Sequence, residues 1–121
     1  MQLKIAILIA FFVLTIVISQ PALAAVNYPY IGSFGSQGLS KTGVFSYPQY
    51  AATDDSGNIY VTDLGNSRVQ KFDNSGEFLN SWGSKGTGNF EFHAPTGIAV
   101  GGGYVYVADH ELNVVKKFDL S

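Results

Sequence analysis

No cysteine occurs among the 121 residues, which removes disulfide staples, a thiolate-bound zinc and a cysteine nucleophile together. Charge is scarce as well: 13% of residues are Asp, Glu, Lys or Arg, and the formal net charge is −2. Scattered, mildly acidic charge offers no electrostatic footprint for nucleic acid. Histidine appears twice, at His93 and His110, whereas a catalytic zinc takes about three protein ligands. No Gly-x-Ser-x-Gly elbow and no spaced pair of glutamates supports hydrolase chemistry. Beyond residue 24 no apolar run is long enough to span a bilayer, and no stretch carries apolar residues at helical spacing.

What is there divides at residue 24. Met1 to Lys4 is a short basic start, Ile5 to Ile18 is apolar apart from Thr15, and Ser19-Gln20-Pro21 breaks the run ahead of Ala22-Leu23-Ala24. That order is a signal peptide over residues 1–24, with small side chains where signal peptidase needs them, so export to a secreted or extracytoplasmic location is expected. Cleavage after Ala24 leaves 97 residues with six basic and nine acidic side chains, a net charge of −3. No stable membrane span survives the cut. A chain of this size holds one domain, and its core must be stabilised by packing alone.

All 14 glycines lie in those 97 residues, about double the ordinary ~7%, and they punctuate short apolar and aromatic runs. Eight strands are predicted: Tyr30 to Phe34, Gln49 to Thr53, Asn58 to Thr62, Arg68 to Phe72, Glu77 to Trp82, Gly97 to Val100, Tyr104 to Ala108 and Val114 to Phe118. The sequence also repeats itself. Tyr60-Val61-Thr62-Asp63 recurs as Tyr106-Val107-Ala108-Asp109 and Val69-Gln70-Lys71-Phe72-Asp73 as Val115-Lys116-Lys117-Phe118-Asp119, both 46 residues on. Ser33-Phe34-Gly35-Ser36 recurs as Ser81-Trp82-Gly83-Ser84 at a spacing of 48. A period in the mid-forties suits a four-stranded propeller blade.

The stretch from Pro48 to Asp73, with Gly76-Glu77-Phe78-Leu79 and Trp82-Gly83 after it, closely resembles the NHL repeat of β-propellers. The resemblance implies an all-β fold of two four-stranded blade equivalents, an incomplete ring of the six-bladed kind. The repeats fall at about 45–83 and 92–121, with an N-terminal outer strand at 28–34. In the second copy Asp54-Asp55-Ser56-Gly57 becomes Gly101-Gly102-Gly103, and Leu64-Gly65-Asn66-Ser67-Arg68 becomes His110-Glu111-Leu112-Asn113-Val114.

Within the repeat, Asp55 and Gly57 are expected to shape a hairpin turn, with Gly76 in another turn. Asp63 and Asp109 end the second strand of each copy, where a carboxylate can accept N–H bonds from the next turn. In the first copy it can also meet Arg68, while Asn66 braces the turn. Arg68, His93, Asp109 and His110 are the candidate binding residues, Arg68 at an exposed rim. The aromatic side chains are expected to fill the space between blades. Some NHL-type lyases hold a zinc on the propeller axis through histidines from several blades. The counterpart of His93 in the first copy is Ser46, so no metal and no cofactor is expected.

The function expected is therefore an exported, non-catalytic binding or scaffold module for a protein, peptide or glycan. The alternative is a remnant or subunit of a metal-dependent propeller enzyme of amidating lyase or lactonase type. Strand phase adds a further expectation: the chain begins with an outer strand and lacks one at its end, so copies self-associate by exchanging Tyr30 to Phe34, three chains making six blades.

Overall fold

A computed structural model describes residues 29–38 and 41–120, and the signal peptide expected at residues 1–24 lies outside them. No helix among the described residues is long and apolar enough to cross a membrane. The blades lie in one compact unit, Gly32–Ser121. Among the described residues its regular structure is strand, apart from one 3-10 turn. A short pair, β1 (Ser36–Gln37) and β2 (Val44–Phe45), is followed by β3 (Pro48–Thr53), β4 (Ile59–Asp63), β5 (Arg68–Phe72) and β6 (Phe78–Trp82). Then come β7 (Pro95–Gly101), β8 (Tyr104–Asp109) and β9 (Val114–Asp119). The strands β3-β4-β5-β6 form one antiparallel meander and β7-β8-β9 a second, three-stranded one.

Short connections explain the meanders. In the β3–β4 turn the Asp54 carboxylate accepts the N–H groups of Ser56 and Asn58 (3.0 and 2.9 Å), and Gly57 sits at φ +81°, a region closed to most side chains. Asp73, Ser75, Gly76 and Glu77 repeat that arrangement between β5 and β6. The expectation that Asp55 shapes this turn is thus corrected by one residue: Asp54 is the carboxylate whose position lets it reach forward over the turn. Each inner strand opens with a proline and carries the same irregularity, after Pro48 in β3 and after Pro95 in β7. A proline is tolerated there because the first residue of a strand need not donate to the ladder.

The two blades pack face to face. Tyr60, Val69, Phe92, Val105 and Val107 form the buried cluster, with Trp82, Ile98, Val100, Phe118 and Leu120 against it. Each such side chain removed from water contributes about 1.5–3 kcal/mol. Thr62 in β4 donates its hydroxyl to the Thr96 carbonyl of the next blade (2.8 Å) and accepts the Tyr50 N–H (3.0 Å), so the seam carries a polar stitch.

The outer strand expected at Tyr30 to Phe34 does not form: residues 29–35 lie in no strand, and the first ladder starts at Ser36, paired in parallel with Val44. The physical reason is that a strand exists only beside a partner, and the described residues place none next to this segment.

Candidate functional site

At the end of β4 the chain leaves through a 3-10 turn, Leu64–Asn66, and Ser67 adopts a left-handed conformation (φ 50°) before β5 begins. Gly65 lies so close to Ser46 that a Cβ there would collide with it, and its N–H donates to the Ser46 carbonyl (2.8 Å). This close approach brings the loop before β3 over the turn. The Asp63 side chain, fully buried beneath it, accepts four bonds: from Ser46 N–H (2.7 Å), Asn66 Nδ2 (2.8 Å), Arg68 Nε (2.9 Å) and Gln70 Nε2 (3.1 Å). Arg68 in turn donates to the carbonyls of Lys41 (2.6 Å) and Val44 (2.8 Å), and Gln70 clamps Val44 O and Gly43 N–H. Arg68 is therefore not a rim contact: it is 8% exposed, its guanidinium spent on Asp63 and on loop carbonyls.

The second copy performs the same task with fewer parts. Asp109 is buried and accepts the N–H groups of His93 (2.8 Å), Ala94 (3.1 Å) and Leu112 (3.1 Å). Burial pushes its carboxyl up, but the N–H donors from Leu112, Ala94 and His93 outweigh that and hold it below the usual range. Val114 stands where Arg68 stands in the first copy, and Lys116 where Gln70 does. Lys116 Nζ donates to the Gly88 and Glu91 carbonyls, each 47 residues on from the carbonyls that Arg68 and Gln70 hold.

His93 puts Nδ1 3.4 Å from Glu111 Oε2, at the partly open mouth of the loop, and His110 is exposed with its backbone N–H on the Ala94 carbonyl (3.0 Å). Among the described residues no three His, Asp or Glu side chains gather into a group that could hold a metal ion. One imidazole beside one carboxylate falls short of a catalytic zinc's donor set. The axial zinc of NHL-type lyases thus does not fit the residues present in this chain.

The aromatic side chains do not all fill the space between blades as expected: Tyr50 and Phe90 are exposed, and so is Tyr47. Tyr47, just before β3, is 75% exposed and sits at φ 53°, a conformation that costs an L-residue with a bulky side chain about 1–2 kcal/mol. Tyr50 follows within β3. Beside Tyr47 lies an open cleft of about 440 Å³ walled by Phe34, Phe45 and Pro48. No sequence signal marks a strained backbone at a tyrosine. The pairing of Gln70 with Lys116 was visible in the repeat, but its meaning lies in carbonyls 25 to 28 residues away.

Two antiparallel blades with the same bulge, the same carboxylate-capped turn and a shared aromatic seam define a β-propeller module. Residues 45–72 match the model of the NHL repeat family, so the first blade carries an NHL repeat. No curated protein matches the chain. Repeats of this family occur in propeller modules that bind proteins or belong to enzymes.

Proposed function

We propose that the chain is an exported, non-catalytic binding module whose ligand is a protein or peptide, held by Tyr47 just before the inner strand of the first blade and by Tyr50 on it. The observation that carries the reading is Tyr47: an exposed bulky side chain kept in a left-handed conformation, beside an apolar cleft. Backbone strain without a packing reward marks positions held for recognition. An amphipathic ring suits peptide surfaces, since it offers apolar area and a hydroxyl at little entropic cost. The buried charges, by contrast, are engaged with backbone groups of the fold.

Peptide and glycan arrays probed with the purified chain test this. Capture of peptides that falls at least tenfold in Tyr47→Gly and Tyr50→Ser supports it, whereas glycan capture indifferent to both variants overturns it. Metal-dependent turnover of an amidated-peptide precursor or a lactone by the wild-type chain would favour the enzyme reading instead. Intact mass of the exported product checks localisation: the expected N-terminus is Ala25, and a cell-associated chain still starting at Met1 counts against export.

A further inference from the structure

The turn that joins the first two strands of a blade differs sharply between the copies. In the first, Asp54-Asp55-Ser56-Gly57 stands between β3 and β4, and in the second Gly101-Gly102-Gly103 leads from β7 to β8. Gly102 and Gly103 sit at φ 60° and 82°, as a two-residue hairpin turn between the paired Gly101 and Tyr104 requires. Gly101 has no such reason to lack a side chain: its φ is not positive, and a Cβ added there would meet nothing within 4 Å.

The bare turn helps to leave a polar cleft of about 350 Å³, which the glycines of the second blade line together with Asp54, Asp55, Tyr60 and Lys71 of the first. Asp54 is already spent within the fold. Its carboxylate accepts the N–H groups of Ser56 and Asn58, the Asn58 Nδ2 (2.8 Å) and the Tyr60 hydroxyl (3.0 Å). Asp55 is exposed, and among the described residues its carboxylate enters no ion pair. Lys71 is half-buried with Nζ 5.1 Å from the centroid of the Tyr60 ring, and among the described residues no carboxylate pairs with it either. An ammonium withdrawn in part from water gains from a counter-charge. The cleft therefore holds one unanswered charge of each sign.

We propose that this cleft binds a small zwitterion, a free α-amino acid or a dipeptide, with its carboxylate toward Lys71 and its ammonium toward Asp55. A ligand of that kind answers both charges at once and leaves the site neutral. A phosphate dianion matches worse, since two carboxylates and a single ammonium line the cleft. The Tyr60 hydroxyl, which donates to Asp54, still has a lone pair with which to accept an N–H of the ligand. Ligand side chains find their room over the bare turn at Gly101. Tyr47 precedes β3 at Pro48, whereas the cleft begins at Thr53, the far end of that strand, so the inference stands apart from the peptide reading.

Titration calorimetry of the purified chain against the twenty α-amino acids and a set of dipeptides tests it, the two arms telling the free amino acid from the short peptide. Saturable binding of one ligand per chain is expected for at least one compound, with a Kd of about 1 mM or tighter. Capping that compound as its N-acetyl form or its amide, which deletes one charge each, should weaken binding at least tenfold. Lys71→Met and Asp55→Asn should do the same, and Gly101→Leu, whose side chain has space without backbone strain, should block the cleft. Absence of saturable binding in both arms overturns the proposal, as do capped compounds that bind like the free ones or a Gly101→Leu chain that binds like wild type. The capped compounds decide on the wild-type chain alone should a variant fail to fold. Tyr47→Gly is expected to leave this binding unchanged, and a loss there would place the ligand elsewhere and overturn the assignment.

Discussion

The two blades solve one problem with different chemistry. Each must hold the loop that enters it against the turn that leaves its second strand, and each buries a carboxylate to do so. The first blade then adds Arg68, Asn66 and Gln70, so a buried ion pair sits at the centre of a dense network. The second blade places Val114 and Leu112 at the corresponding positions and meets its Asp109 with backbone N–H groups alone, leaving Lys116 to hold the loop from its exposed side. The difference shows that the carboxylate is the part of the device both blades need. The cations and amides around it are interchangeable ways of gripping two carbonyls three residues apart.

The largest effect should separate the two carboxylates. Asp63→Ala leaves Arg68 buried without its counter-charge, a loss of about 3–5 kcal/mol. Asp109→Ala orphans neutral N–H groups and should cost about 1–3 kcal/mol. Denaturant midpoints measure both, and equal losses would break the comparison. Acid should sharpen it. The carboxyls of Asp109 and Asp54 lie below their ordinary 3.8: burial raises each, but the hydrogen bonds they accept lower them further. A depressed carboxyl stabilises the fold above its unfolded value, and that contribution is lost as pH falls through the folded value. Stability should therefore drop below about pH 4, and Asp109→Asn should flatten that acid limb in a pH series of thermal melts.

Lys116→Met comes next. It keeps the aliphatic stem near Phe92 and removes the two carbonyl contacts, so a loss of about 1 kcal/mol is expected, accompanied by faster amide exchange around Gly88 to Glu91. Lys116→Gln should lose less, because an amide can still reach one carbonyl. A neutral Lys116→Met would mean that the second loop holds itself.

Much of the blade architecture was legible because it is local. The β5 strand starts and ends where the apolar runs place it, β4, β6 and β9 within a residue, and the 46-residue period reads directly as one blade on the next. What was illegible depends on distant partners. Arg68 looks like a surface cation in a turn until the loop at 41–46 folds over it, and nothing in the residues around position 68 announces that loop. The segment from Tyr30 to Phe34 reads as a strand because its side chains suit one, yet a strand also needs a neighbour. Asp54 and Asp55 are indistinguishable by composition, and the choice falls to whichever reaches two N–H groups ahead.

The smallest effect concerns the two loop ends that differ in shape. Tyr47 and Ala94 occupy matching positions, 47 residues apart, but only Tyr47 has a positive φ. Tyr47→Gly removes the penalty of a side chain in the left-handed region while adding backbone freedom to the unfolded chain, and the two partly offset. A net gain of about 0.5 kcal/mol is expected, read as a slightly higher denaturant midpoint. Ala94→Gly has no strain to relieve and should be destabilising, through the freer unfolded chain and through the loss of its buried methyl group. If Tyr47→Gly proves destabilising, the ring contributes packing that its exposure conceals, and the strain is then structural. A gain in stability paired with lost peptide capture would instead mean that the first blade keeps a strained tyrosine for its ligand, which the second does not.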